Sequence, residues 1–275
     1  MLISRSEAAR LGQSAVSILA AGTYTSASGR VVSIAQATER AVAGTVSYPP
    51  GAARPALGAA RFDTEITVTG ETTLAASFRL VDEGETPCAL NFASAKNPGG
   101  GFLSGARAQE ETLARASSLF ACIDGNPMYG FHRQRRDAMY THYAIYSPDV
   151  PVFRDDAGTL LDAPYTFAML TSPAPNTGAV LAKDAGRASA IEAAFAERID
   201  LVLHLMAAHG HEVVVLGAWG CGAFRGDPKM VAGLFAEALR GPFAGVFRRA
   251  VFAVFDPGKG APNRKAFEAA LGQAT

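Results

Sequence analysis

The segment CALNFASAKNPGGGFLSGARAQEE, residues 88–111, joins an apolar stretch, a run of glycines and a pair of glutamates. Its first six residues, 88–93, predict a buried strand, because short apolar runs bounded by turn residues are typical of strands in layered α/β cores. Three consecutive glycines follow, and we expect a helix from about residue 106 to residue 122. The segment therefore predicts a strand, loop and helix in which the most permissive backbone lies next to two carboxylates.

The same alternation of strands and helices continues on both sides of this unit. Further strands are predicted at residues 65–69, 166–171, 212–217 and 249–255. Further helices are predicted at residues 72–84, at about 184–209, and from the Asp227-Pro228 pair onward. Strands that alternate with helices indicate a layered α/β core with a largely parallel sheet.

Two other regions do not follow this alternating pattern. Helical spacing at residues 6–21 and at about 34–42 predicts an N-terminal helical layer, which a loop rich in Pro, Gly and Ala (47–60) connects to the main body. Residues 131–160 show no periodicity, so we expect a long irregular loop of the kind that often carries function.

Composition excludes several classes of protein. The 275 residues are 49% hydrophobic and 18% charged, which is typical of a folded globular chain. Lys and Arg number 25 and Asp and Glu number 25, so the net charge gives no indication of nucleic-acid or membrane binding. The three cysteines lack metal-ligand spacing and indicate free thiols in a reducing compartment. Without a leader or a long apolar run, we expect a cytoplasmic protein.

Two glycine-rich loops follow predicted strands, KNPGGGFLSG at 96–105 and GAWGCGAFRGD at 217–227. Ligands of open α/β sheets bind beyond the carboxyl ends of the strands, and closely approaching backbone N–H groups suit a diphosphate. Neither loop matches GxGxxG or GxxxxGK[ST], so the common dinucleotide and P-loop motifs are absent. The alternative is that each loop is only a tight turn, which is less favoured for two loops at one edge.

Gln109, Glu110 and Glu111 fall in the first turns of the helix after the first glycine loop. Adjacent helical residues point roughly 100° apart, so the two carboxylates are not expected to aim at one atom. One is predicted to enter the site while the other holds a hydroxyl. The alternative is that acidic residues simply favour a helix N-terminus.

GGG, seven residues and then QEE resembles the signature of poly(ADP-ribose) glycohydrolases. The surrounding LNFASAKNPGGGFLSGARAQEETLARAS is similar to the bacterial-type branch, and the similarity extends through LGAWGCGAFRGDP. The resemblance implies a three-layer α/β/α macrodomain with a mixed, largely parallel sheet and an N-terminal helical extension. It also implies one catalytic domain over residues 1–275, on which residues 1–60 pack.

The resemblance also implies roles for individual residues. Glu111 would be catalytic, with Glu110 beside it; Asn97 and Glu110 would bind ribose hydroxyls, and Phe224 would pack against the distal ribose. The first loop would surround that ribose and the second would wrap the diphosphate. The implied substrate-binding set is Asn97, Gly99, Gly100, Gly101, Gln109, Gly220, Cys221, Gly222, Ala223 and Phe224. Glu71 would lie near the adenine.

The implied reaction is hydrolysis of the ribose–ribose O-glycosidic bond of poly(ADP-ribose), which releases ADP-ribose. A carboxylic acid can protonate the leaving oxygen and then activate water, so we expect no metal and no cofactor. Expected partners are ADP-ribose, its polymer and poly(ADP-ribosyl)ated proteins, with a role in the DNA damage response. Removal of single ADP-ribose units from proteins and non-catalytic ADP-ribose binding are the alternatives, and the intact QEE argues against the second.

Three other features have open interpretations. RQRR, residues 133–136, either meets phosphates of the polymer or is a solvated run of charges. Trp219 belongs either to the core or to the wall of the ligand site. Cys221 lies between glycines, but no histidine is placed in the sequence to activate it as a nucleophile.

Overall fold

The computed structural model of the chain describes residues 3–272. Its strands are β1 (Thr23–Thr25), β2 (Val31–Ser33), β3 (Val46–Tyr48), β4 (Glu65–Thr69), β5 (Cys88–Phe92), β6 (Ala144–Arg154), β7 (Leu160–Ser172), β8 (Val213–Leu216) and β9 (Arg249–Ala253). Its α-helices are α1 (Arg5–Ala21), α2 (Ala35–Ala43), α3 (Thr73–Asp82), α4 (Gln109–Ala116), α5 (Leu119–Ile123), α6 (Pro127–Arg133), α7 (Thr177–Lys183), α8 (Ala188–Ala208), α9 (Pro228–Arg240) and α10 (Pro262–Leu271).

Seven strands form one mixed sheet in the order β3-β6-β7-β5-β8-β9-β4. The pairs from β7 through β4 are parallel, whereas β3 with β6 and β6 with β7 are antiparallel. β1 and β2 form a separate antiparallel pair. The mixed, largely parallel sheet confirms the fold class expected from the sequence.

Alternate residues of the central strands enter two different hydrophobic layers. Leu90 and Val214 pack with α8, α9 and α10, whereas their strand neighbours Ala89 and Val215 pack with α2 to α6. Side chains of a strand point to opposite faces, so a sheet that is buried on both sides needs apolar residues at every position. This explains the continuous apolar runs in the sequence and gives the three-layer α/β/α arrangement.

The N-terminal residues add more than helices. α1 begins after Ser4, whose Oγ accepts the N–H of Glu7, and α2 follows, as the helical spacing predicts. Between and after these helices the chain also forms β1, β2 and β3, and β3 pairs with β6 at the edge of the main sheet. Three-residue strands are too short to show a hydrophobic period, so the sequence did not reveal them.

The helix expected at 106–122 was wrong in its continuity, because it is divided into α4 and α5. At the break, Ser117 is extended with φ −143°, its Oγ donates to the carbonyl of Leu113, and its backbone bridges to Val152. The helix expected at 184–209 begins later, at α8, and is preceded by α7 and a short 3₁₀ turn.

The irregular loop expected at 131–160 was also wrong, because β6 and the start of β7 occupy much of it. Pairing between these strands shifts register between Ser147 and Val150, where Pro148 and Asp149 form a bulge and Asp149 has φ +43°. Proline and aspartate in this segment are typical of loops, and a bulge is where a strand accepts them.

Among residues 3–272, no helix is long and apolar enough to cross a bilayer.

Candidate active site

A cavity of about 680 Å³ lies beyond the carboxyl ends of the parallel strands. Its walls come from the end of β5, the first turns of α4, the loop after β8 and the segment that follows β9. The tip of the β6–β7 hairpin, residues 155–158, and the start of α1 enclose it further. The cavity is therefore at the position where open α/β sheets bind ligands.

Glu111 is buried at this cavity and its carboxylate is fixed by two backbone groups. The N–H of Gly101 donates to Oε1 and the N–H of Ala108 donates to Oε2, each at 2.9 Å. The second bond is to the N-cap residue of α4, and the first reaches back to the glycine loop. Two hydrogen bonds from rigid backbone hold this carboxylate in one orientation at the cavity wall.

Glu110 is more deeply enclosed than its neighbour. Its Oε2 accepts the N–H of Ser94 at 2.6 Å, while its Oε1 is buried without a hydrogen-bond partner among the described residues. Burial raises the pKa of the Glu110 carboxyl well above its usual value, and the charge of Glu111 raises this pKa further. The side chain of Asn91 is close enough to act in the opposite direction and lower the pKa of Glu110, and Tyr129 also lies near this carboxyl group.

The surroundings of Gly100 show why glycine is needed beside the carboxylates. Its φ is +60°, and a Cβ on it would lie 2.3 Å from Oε1 of Glu111 and 3.0 Å from Oε2 of Glu110. The two side chains thus converge on one glycine, although their Cα–Cβ bonds point in different directions, because a glutamate is long enough to bend toward a common neighbour. The two carboxylates therefore leave no room for a side chain at position 100.

Gln109 holds the helix to the strand before it. Its Oε1 accepts the N–H of Phe92 at 2.9 Å, and its Nε2 donates to the carbonyl of Leu90 at 2.7 Å and to Oγ1 of Thr73 at 3.1 Å. Gln109 also lines the cavity. Its amide is hydrogen-bonded to the protein at both ends, which fixes α4, and with it both glutamates, relative to β5.

The second loop forms the opposite wall. Gly222 is exposed, and a Cβ there would meet no atom within 4 Å, so its backbone is open to a ligand. Phe224 lines the cavity, and its ring centroid is 6.1 Å from that of Tyr140. Trp219 is wholly buried and its Nε1 donates to the carbonyl of Ser172, so it belongs to the core, and it also lines the cavity. Burial raises the pKa of the Cys221 thiol to about 12.

The structure brings the sequence-predicted residues together in three ways. Those that line the cavity are Gln109, Glu110, Glu111, Gly220, Gly222, Ala223 and Phe224. Gly100 and Gly101 lie behind the cavity wall and contact Glu111, while Gly99 packs against Phe102. Asn97 is exposed on the first loop, and Cys221 lies within the second loop with its thiol directed to the carbonyl of Trp219.

Sequence reasoning missed other residues of the cavity. Phe255 is 48% exposed and lines it where β9 ends, and Asn263 lies near it at the start of α10. Asn91, which is buried in β5 and does not line the cavity, was detectable as a polar residue inside an apolar strand. Glu71, expected near an adenine, forms two hydrogen bonds to Arg79 and is outside the set of residues that line the cavity.

Comparisons with known proteins agree with this arrangement. A family model described as the microbial-type PARG catalytic domain matches residues 12–155. Poly(ADP-ribose) glycohydrolase from Thermomonospora curvata bound to the inhibitor ADP-HPD is 47% identical with a TM-score of 0.89, over 96% of this chain and 99% of that one. The Deinococcus radiodurans enzyme in complex with ADP-ribose is 40% identical with a TM-score of 0.78, over 85% and 96%.

No curated protein sequence matches this one. The family match spans more than half of the chain, and the two bacterial structures are similar over 96% and 85% of it. The residues that the family model matches include the glycine loop and the QEE that frame the cavity. The chain therefore belongs to the family of microbial-type poly(ADP-ribose) glycohydrolase catalytic domains.

Proposed function

We propose that this protein hydrolyses the ribose–ribose O-glycosidic bonds of poly(ADP-ribose) and releases ADP-ribose, acting as a single catalytic domain. The observation that carries the proposal is the Glu111 carboxylate, which two backbone N–H groups orient at the wall of a 680 Å³ cavity. A module that only binds ADP-ribose needs the cavity but has no use for an oriented proton donor. Membership of the family and the ADP-ribose complex of the Deinococcus radiodurans relative support the same substrate.

In the proposed mechanism Glu111 is the general acid and then the general base. It gives a proton to the leaving 2′-oxygen as the bond from that oxygen to C1″ breaks, and C1″ gains oxocarbenium character. Water then adds to C1″ and returns a proton to the carboxylate. The substrate's own diphosphate stabilises the positive charge in this scheme.

Glu110 is assigned the ribose hydroxyls. Its raised pKa favours the protonated form, so Glu110 itself adds no negative charge to the site. Glu110 also lines the cavity, where its carboxyl group is placed to meet a hydroxyl group of the distal ribose. Asn97, at the rim of the first loop, is proposed as a second contact to ribose.

The remainder of ADP-ribose extends away from the glutamates. The second loop supplies open backbone at Gly222 for the diphosphate, and Phe224 supplies a ring for the distal ribose. At the other end, the exposed ring of Phe255 offers an apolar face on which the adenine base can stack. This orientation places the base near β9 and the scissile bond near β5.

Glu111→Gln tests the assignment. The amide keeps the shape but cannot donate or accept the proton, so polymer hydrolysis should fall about 10²- to 10⁴-fold, the usual contribution of a positioned acid or base. ADP-ribose affinity by calorimetry should stay close to that of the unsubstituted protein. Glu39→Gln, an exposed residue of α2, is the matched control. Near-normal hydrolysis by folded Glu111→Gln would exclude the role.

The same assay separates the activities. Incubation with automodified polymer and, in parallel, with mono-ADP-ribosylated protein, followed by identification of the products, shows which bond is cleaved. Release of ADP-ribose from the polymer supports the proposal. Release only from the mono-modified protein would replace it with a protein-linked ADP-ribose hydrolase.

A further inference from the structure

The segment 131–140 connects the two glycine-rich loops on the outside of the cavity. At one end, Nη1 of Arg133 donates to the carbonyl of Lys96 in the first loop at 2.7 Å. At the other end, Tyr140 packs against Phe224 of the second loop. Tyr140 has φ +56°, so the chain turns sharply where it meets that ring. The segment therefore runs from the first loop to the second, and its contact with Phe224 joins it to the wall of the cavity.

Three arginines project from this border. Arg133, Arg135 and Arg136 are exposed, and within residues 3–272 none of them forms an ion pair with an acidic side chain. The neighbouring Asp137 does not neutralise them, because both of its oxygens accept hydrogen bonds from Arg187. In a chain with no net charge, this is a local concentration of positive charge.

Two of the arginines are held in position by contacts within the protein. The guanidinium of Arg135 lies 3.3 Å from the centroid of Phe131 and donates to the carbonyl of the same residue. Arg133 is held by Lys96. Each of these two arginines has N–H groups in addition to the one used, and Arg136 is free of such contacts within the described chain. A guanidinium that is already positioned loses less entropy when it binds a phosphate.

The sheet order shows which way a polymer leaves. The base is proposed to lie near β9 and the scissile bond near β5, and the next strands in the same direction are β7 and β6. β6 is antiparallel to β7, so the start of β6 lies at the same edge as the carboxyl ends of β7 and β5. Residues 131–140 come shortly before β6. A chain that continues past Glu111 along this edge reaches them.

We propose that Arg133, Arg135 and Arg136 form a cationic border that binds diphosphates of poly(ADP-ribose) on the leaving side of the scissile bond. The inference rests on the proposed function and deepens it. Each unit of the polymer carries a diphosphate, and arginine binds phosphate oxygens in pairs. Contacts of this kind release counterions, so they depend strongly on salt and add affinity only for substrates with units beyond the terminal one.

The test compares two double variants that remove equal charge. Arg135→Gln with Arg136→Gln alters the border, and Arg133 is left in place because it contacts Lys96. The control, Arg30→Gln with Arg40→Gln, removes one exposed arginine from the turn before β2 and one from α2. KM and kcat are measured on long poly(ADP-ribose) and on the ADP-ribose dimer at several salt concentrations, and ADP-ribose affinity is measured by calorimetry.

The border variant should raise KM for long polymer about tenfold, from two exposed charge contacts of about 0.7 kcal/mol each. Its dependence of log KM on log salt should flatten by about 1.5, while kcat and ADP-ribose affinity stay unchanged and the dimer is affected less. The remote variant should behave like the unsubstituted protein.

Other results overturn the inference. Equal KM and equal salt dependence for both variants would show that the arginines are only solvated. A parallel loss of ADP-ribose affinity and of dimer hydrolysis would show that the segment acts by shaping the cavity. Failure of the unsubstituted protein to cleave any polymer would instead refute the proposed function, so the two failures are distinguishable.

Discussion

Gly100→Ala is the substitution by which the contact between the glycine loop and the glutamates is best tested. The new Cβ would lie 2.3 Å from Oε1 of Glu111, whereas ordinary contacts begin at 3.4 Å. Either the carboxylate or the loop must therefore move by about 1 Å. Because the N–H of Gly101 in the same loop donates to that oxygen, movement of the loop also breaks the alignment of Glu111.

The expected effect on catalysis is larger than the effect on stability. Misplacement of a reacting group by about 1 Å costs about 10²-fold in rate, so kcat on polymer should fall by about that factor. Alanine at φ +60° costs about 1–2 kcal/mol in the folded state. Each kcal/mol lowers the Tm of a domain of this size class by about 2–4 °C.

Gly84→Ala is the matched control for the backbone strain. Gly84 has φ +86° in the turn between α3 and β5, and a Cβ there would meet nothing within 4 Å. This variant should lose similar stability and keep full activity. Both are compared by thermal melts, by kcat on polymer and by calorimetry with ADP-ribose.

Two outcomes of this comparison would contradict the reasoning. If Gly100→Ala keeps the kcat of Gly84→Ala, the packing of the loop on the carboxylates is not needed for catalysis. If it loses ADP-ribose affinity while kcat at saturation is unchanged, the added methyl group obstructs the ligand and not Glu111.

Two further predictions concern buried charge and the base. The pKa of Glu110 is raised in the folded protein, so this carboxyl group stabilises the fold at pH values below its usual pKa of 4.5. The stabilisation is lost as the pH rises toward the raised pKa. Glu110→Gln should remove this pH dependence. In melts from acid to neutral pH, the Tm of the variant relative to the unsubstituted protein should rise, and a flat difference would contradict the raised pKa. Phe255→Ala should weaken ADP-ribose binding about 5- to 100-fold, as expected for one lost stacking contact, and unchanged affinity by calorimetry would place the base elsewhere.

The elements that the sequence predicted correctly are those whose pattern is local. β4, β5 and β8 are short apolar runs bounded by turn residues, and α9 begins at an aspartate followed by proline. Burial on both faces or a cap determines these elements from within a few residues. β6 was not predicted, because it contains residues that are typical of loops. A bulge accommodates these residues, and only the pairing of β6 with β7 stabilises that bulge.

The sequence by itself determined the α/β layering, the two glycine loops and the position of QEE at the start of a helix, since periodicity and motif spacing are properties of neighbouring residues. Tertiary structure alone decided how these residues act on one another. Gln109 bonds to the backbone of β5, Ser94 and Gly101 fix the two glutamates, and the ring of Phe255 arrives from the end of β9. The hydrogen bonds join residues 10 to 17 positions apart, and Phe255 comes from a far more distant segment. Local patterns do not specify the geometry of such contacts, which exists only once the strands are paired in the sheet.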